Sequence, residues 1–156
     1  MRVAQMAPVF DDITFRYGRR TPVFSGFSLT VAAPATVLLG PNGAGKSTLM
    51  GLAASQLTPT DGALSFNRLR PEGRKQAAYR KSVAHLVEEL SPTVQVLVST
   101  HQTEDLAALY AQVIVLDQGT VRFHGSPAEF QALAPEATGD RERAETAYAR
   151  LVGQEI

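Results

Sequence analysis

The sequence predicts an α/β fold: a parallel sheet covered by helices, with a small antiparallel sheet near the N-terminus. Three observations carry that prediction. Short, mostly β-branched apolar runs at Thr36–Leu39, Val94–Val98 and Val113–Leu116 read as strands buried on both faces, as parallel strands are. Alternating runs, Ile13-Thr14-Phe15-Arg16-Tyr17 and Phe27-Ser28-Leu29-Thr30-Val31, read as half-buried strands of the antiparallel kind. Directly after the first buried run stands Gly40-Pro41-Asn42-Gly43-Ala44-Gly45-Lys46-Ser47-Thr48, which fits G-x-x-x-x-G-K-[ST].

That pattern is the phosphate-binding loop, and its context is right. A strand precedes it, and Leu49, Leu52 and Ala53 form the inner face of a helix after it. The glycines leave room for backbone N–H groups to turn inward around an anion. A helix starting at Lys46 adds free N–H groups and the positive end of its dipole. Lys46 is placed to reach the β- and γ-phosphates of a nucleotide, and the Ser47 hydroxyl to ligate Mg²⁺. An ordinary Gly-rich turn would need neither flanking element. The expected core is therefore that of a P-loop NTPase.

Composition narrows the field. A chain of 156 residues with 44% apolar content builds one domain with one sizeable core. Lys plus Arg and Asp plus Glu balance at 15 each, so no polyanion-binding surface is indicated and no nucleic-acid partner is expected. The basic clusters Arg16/Arg19/Arg20 and Arg68/Arg70/Arg74/Lys75 read as solvated loops. Cysteine is absent, which excludes disulfides and thiolate metal sites. No apolar run reaches membrane-spanning length, and Met1–Gln5 shows no signal-peptide pattern, so the expected compartment is the cytoplasm.

The remaining elements follow in order. Gly18–Pro22 breaks the two alternating strands. The helix after the loop is expected to end near Leu57, before Pro59, and Asp61-Gly62 to turn into a short strand, Ala63–Phe66. Residues 67–79 are polar and irregular. Val83, Leu86, Val87 and Leu90 fall at helical spacing, with Pro92 as the stop; Glu88 and Glu89 border its polar side and read as solvated. The run Val94–Val98 ends at Ser99-Thr100-His101, and a helix follows over Leu106–Tyr110 with Glu104 and Asp105 at its positive end. After Val113–Leu116, Asp117-Gln118-Gly119 turns the chain into Thr120–Phe123 as a hairpin. Val-Ile-Val-Leu-Asp also matches the apolar-run-then-Asp pattern of a Mg²⁺-binding strand, but Gln118-Gly119 is turn chemistry and no Glu follows, so Asp117 reads as a turn residue. Ser126-Pro127-Ala128-Glu129 forms a capping box opening a short helix before Pro135. Asp140 opens the last helix, with Ala144, Ala147, Tyr148, Leu151 and Val152 on one face.

Taken together, this order resembles the nucleotide-binding domain of ABC transporter ATPases, over roughly residues 9–134 with one break. The segments that carry the resemblance are an aromatic residue in the first sheet (Tyr17), the loop Gly40–Thr48, and a strand ending in a histidine (Ser99-Thr100-His101) before Gln102–Asp105. The strand–turn–strand at Val113–Phe123 and the helix start Gly125–Glu129 complete it. The resemblance implies ATP and Mg²⁺ as ligands. Tyr17 would stack on adenine, Gly40, Pro41, Asn42, Gly43, Ala44, Gly45, Lys46, Ser47 and Thr48 would hold the phosphates, Ser47 would hold the metal, and His101 would sense the γ-phosphate. The rival reading of Tyr17 is a plain sheet aromatic, and that of His101 a helix-capping or solvent-facing histidine; His85 and His124 read as structural.

The chain departs from the family in its middle. The glutamine loop, helical subdomain, LSGGQ-like signature, Walker B strand with its Asp and Glu, and D-loop would all fall within Asn67–Pro92, and no LSGGQ-like string occurs. The chain therefore resembles a single shortened nucleotide-binding domain without a helical subdomain. Its parts are antiparallel sheet and P-loop over 9–66, histidine strand and hairpin over 83–134, and a C-terminal helix over 139–153, the break falling near Ser82–His85. The parts removed are edge strands, so Val113–Leu116, Val37–Leu39 and Val94–Val98 are expected to pair in that order, with an open edge at Val94–Val98 that favours self-association.

The family role implied is ATP hydrolysis coupled to transport. Its partners would be a transmembrane permease, which holds the domain at the cytoplasmic face of the cell membrane, and a second ATP-binding subunit or a homodimer. The missing Walker B acids imply that hydrolysis is weak or absent. A non-hydrolysing nucleotide-binding module or inactive remnant, and a soluble ABC ATPase outside transport, stand as the alternative readings.

Overall fold

The computed structural model describes residues 8–66, 95–100, 103, 106 and 110–153. Two sheets result. The first is antiparallel, with β1 (Pro8–Phe15) between β2 (Phe24–Thr30) and β4 (Asp61–Phe66). The second is mixed and mainly parallel: β5 (Val96–Ser99), β3 (Ala35–Leu39), β6 (Gln112–Asp117) and β7 (Thr120–Gly125) lie side by side in that order. The β5, β3 and β6 strands are parallel, and β7 returns antiparallel. This is the strand order that the family resemblance implied.

The sequence explains why β3 lies in the middle. Every residue of Ala-Thr-Val-Leu-Leu is buried, which only a strand with neighbours on both edges and cover on both faces achieves. Its faces serve two cores. Leu38 points into the first, with Phe10, Ile13, Phe24 and Leu29 of the antiparallel sheet and Leu49 and Leu52 of α1 (Lys46–Ala53). Val37 and Leu39 point into the second, with Phe130 of α2 (Pro127–Gln131) and Ala144 and Ala147 of α3 (Asp140–Val152). At about 25 cal/mol per Å² of apolar surface, each fully buried leucine or phenylalanine contributes on the order of 1.5–3 kcal/mol.

Several expected boundaries shift. The alternation through Tyr17 predicts strand, but β1 ends at Phe15 and Tyr17 sits in the following turn, closed by Arg20 N–H donating to Tyr17 O at 3.2 Å. Two adjacent exposed residues, Asp11 and Asp12, mark a bulge within β1, where Asp12 takes φ 52°. The P-loop helix ends at Ala53, not near Leu57: Gln56 and Leu57 N–H both donate to Gly51 O, at 2.9 and 3.1 Å, folding Leu57 back onto the helix. The fourth strand starts at Asp61, two residues before the expected Ala63, and β5 starts at Val96.

The C-terminal helices match expectation. Ser126 Oγ accepts from Glu129 N–H while Glu129 Oε2 accepts from Ser126 N–H, completing the capping box of α2. Leu106 and Tyr110 are buried, linked by a 3.2 Å hydrogen bond from Tyr110 N–H to Leu106 O. The helix expected over Val83–Leu90, with His85, Glu88 and Glu89, lies outside the described residues, as does His101. No helix among the described residues is long and apolar enough to cross a membrane.

Candidate functional site

The site gathers at the carboxyl end of β3, where ligands bind in open α/β sheets. The loop after β3 runs from buried Gly40 through exposed Asn42 and Gly43 to α1. It turns on itself through Ala44 N–H donating to Pro41 O at 3.1 Å. Close approach explains its first glycine: a Cβ on Gly40 would lie 2.3 Å from Leu116 O of β6. Behind the loop, the Phe24 ring packs so closely that a Cβ on Gly45 would lie 3.0 Å from it. Gly43, with φ 81°, faces open space, so the scaffold lies behind the loop and the outer side stays accessible.

The start of α1 suits an anion. Gly45 is its N-cap, and no side chain caps it. No acidic residue lies in its first turn, so the helix offers its own N–H groups and dipole no negative charge there. The Lys46 ammonium folds back over the loop and donates to Gly40 O and to Pro41 O, the latter at 3.0 Å. Burial lowers its pKa below the usual lysine value. The Ser47 hydroxyl-bearing residue is exposed and Thr48 is buried.

Tyr17 reaches this loop although it leaves the strand early. Its hydroxyl lies 3.0 Å from Thr48 Oγ1, and its ring stands edge-on to Phe15 at 4.9 Å. With 45% of its surface exposed, the ring keeps a face available beside the loop. Sequence reading singles out both residues but not their contact, because 31 positions separate them. Val23, Phe24 and Gly119 as supports of the loop are also invisible in the motif, since the Phe24 ring against Gly45, Val23 O against Gly119 and the Gly119 N–H on Ala44 O are set by the fold.

Asp117 closes the β6–β7 hairpin by pairing with Thr120, and its carboxylate lies 3.7 Å from the Arg122 guanidinium. The phenol of Tyr148 on α3 is pushed up in pKa by burial first and by the Asp117 carboxylate second. His124 accepts from Gln112 Nε2 at 2.6 Å, and Gln112 Oε1 accepts from buried Thr36 at 3.1 Å, tying β7, β6 and β3 together. These contacts give both residues structural partners.

The fit to ATP and Mg²⁺ differs between the two. An uncapped helix start, an accessible left-handed glycine and a lysine on the same loop suit a phosphate chain. For a metal, the described residues include no cluster of three or more His, Cys, Asp or Glu. Mg²⁺ bound through phosphates needs only one or two protein ligands, and the Ser47 hydroxyl can be one.

Comparison with known proteins decides the family. A profile of the ABC transporter family matches residues 24–151, from the first residue of β2 into α3. The chain belongs to the ABC transporter family. Among ABC relatives, it is 43% identical over 68 residues to the phosphonates import ATP-binding protein PhnC of Thiobacillus denitrificans, covering 40% of this chain and 26% of that protein. It is 37% identical over 87 residues to ABC transporter F family member 2 of Dictyostelium discoideum, covering 54% of this chain and 14% of that protein. The fold is similar to that of an ATP binding subunit of an ABC transporter, with TM-score 0.68 at 15% identity, over 92% of this chain and 98% of that one. It is equally similar to a bacterial Atm1-family ABC exporter with ATP bound, TM-score 0.68 at 15% identity, over 96% of this chain and 42% of the exporter chain. The chain thus spans only a fraction of the curated relatives and of the exporter.

Proposed function

We propose that this chain binds MgATP on the loop Gly40–Thr48 as a nucleotide-binding unit of an ABC transporter, with hydrolysis weak or absent. The observation that carries the reading is the uncapped, acid-free start of α1 beside an open glycine loop, with Tyr17 tethered to it through Thr48. In this reading the loop amides and α1 N-terminus bind the phosphates, and Lys46 turns from the carbonyls of Gly40 and Pro41 toward the β- and γ-oxygens. The Ser47 hydroxyl holds the metal, and Tyr17 lies under adenine. Bound Mg²⁺ would supply charge neutralisation on the phosphates. His101 is assigned to γ-phosphate sensing on its position two residues beyond Ser99 of β5, the strand beside β3.

Weak hydrolysis follows from what the sequence lacks. No LSGGQ-like string occurs, and among the described residues no acidic pair ends a strand in the manner of Walker B. A general base is worth about 10²–10⁴-fold. A permease and a second ATP-binding subunit or homodimer are the proposed partners, at the cytoplasmic face of the membrane. The second reading, a non-hydrolysing nucleotide-binding module or remnant, is favoured by the same shortened middle. Calorimetric titration with MgATP tests binding: saturable binding is expected, weakened at least about tenfold in Lys46→Ala, the loss of one charge-assisted contact. Steady-state phosphate release separates the two readings. A rate above that of Lys46→Ala supports residual ATPase activity, and equal rates remove the enzyme reading and leave nucleotide binding without hydrolysis.

A further inference from the structure

The turn joining β6 and β7 does more than reverse the chain. Only Gln118 and Gly119 separate the paired residues Asp117 and Thr120, and both have positive φ, 48° and 71°. That is the pattern of a type I′ hairpin turn. Gly119 N–H then donates to Ala44 O, in the middle of the phosphate loop, at 2.9 Å. On its other side Gly119 approaches Val23 so closely that a Cβ would lie 2.0 Å from Val23 O. At Leu116, the residue before Asp117, the carbonyl oxygen fills the space beside Gly40. The hairpin end therefore braces the loop at its first glycine and its centre, while Val23-Phe24 braces Gly45.

A cradle of backbone amides binds an anion well only if its dihedrals are set beforehand, because ordering them on binding subtracts from affinity. We propose that the Gln118-Gly119 turn is a positioning device for the phosphate loop, with the Gly119 amide holding Ala44 in place for anion binding. The inference rests on the nucleotide reading above. Its consequence is reciprocal: whatever the turn contributes to binding, binding returns as protection of the turn.

The test compares wild type, Gly119→Ala and Gln118→Asn by two readouts: amide exchange of Gly43–Thr48 without nucleotide, and MgATP affinity by calorimetry. Asn tolerates a left-handed turn position, so Gln118→Asn is expected to match wild type in both. In Gly119→Ala, loop exchange is expected to quicken and affinity to fall, each about tenfold, from one lost hydrogen bond and a strained turn. Amides of Val37–Leu39 serve as the reference and are expected to stay protected. A folded Gly119→Ala with either readout within twofold of wild type overturns the proposal. If Gly119→Ala does not fold, a single glycine inserted after Gln118 replaces it, judged by the same readouts. Wild type that shows no saturable MgATP binding sinks the nucleotide reading instead, and the exchange readout, which needs no nucleotide, then decides the turn's role alone.

Discussion

The strands β3 and β5 lie side by side and in parallel, yet they live in different environments. Leu38 of β3 and Leu97 of β5 pack in the same core, but Leu38 is fully buried and Leu97 only partly. β3 has β5 and β6 as neighbours, while β3 is the only neighbour of β5 among the described residues. The two runs are similarly apolar. Burial is therefore set by place in the sheet, and the strand at the centre is the one that carries the phosphate loop. A loop anchored on a fully buried strand has a fixed base, which an amide cradle needs.

The comparison yields graded expectations. The largest effect belongs to Leu38→Ala, expected to destabilise by about 3 kcal/mol through transfer loss and a residual cavity, against about 1 kcal/mol for Leu97→Ala. Equal losses in urea unfolding would break the contrast. Next comes the pH dependence of the loop on β3. Burial depresses the Lys46 pKa below 10.5, and a bound polyphosphate favours the charged form, so affinity is full below the depressed value and falls as pH rises through it. The fall approaches about 1.4 kcal/mol per pH unit there. A flat affinity profile across that alkaline range would remove Lys46 from the contact. Ser126→Ala, at the cap of α2 and outside the loop, is expected to cost about 1 kcal/mol of stability with MgATP affinity unchanged. A parallel loss of affinity would show that stability and site are not separable here. The Glu129 half of the same cap has a pKa lowered mainly by its backbone hydrogen bond to Ser126, so its contribution is present above 4.5 and lost as pH falls through the lowered value. The smallest effect on stability is Ser99→Lys, at the exposed last residue of β5, within about 0.5 kcal/mol. It is nevertheless expected to suppress the self-association that an edge without a further neighbour among the described residues favours. Sedimentation at several concentrations reads this directly, and a wild-type chain that stays monomeric refutes the edge as an association site.

Much of this was legible in the residues. The loop is a local motif and the buried runs are local patterns, whereas the strand order came from the family resemblance, with which a right-handed crossover is compatible. The boundary errors have local causes that periodicity does not register. Alternation carried the first strand through Tyr17, but the Gly18 turn diverted it. Helical spacing carried α1 toward Leu57, but Gly51 O captured the two N–H groups beyond its end.

What the sequence determined by itself was the loop, the family resemblance and the alternation of buried and half-buried strands, because each is read from short runs of neighbouring residues, the resemblance from several such runs in order. Only the tertiary structure decided what holds the loop: Leu116 against Gly40, Phe24 against Gly45, Gly119 bonded to Ala44, and Tyr17 against Thr48. Two of those contacts are made by backbone atoms and two by the Phe24 ring and the Tyr17 hydroxyl, and all join separate segments of the chain. Hydrophobic pattern and residue type report which side chains seek burial, but carry no record of which distant peptide groups come to touch.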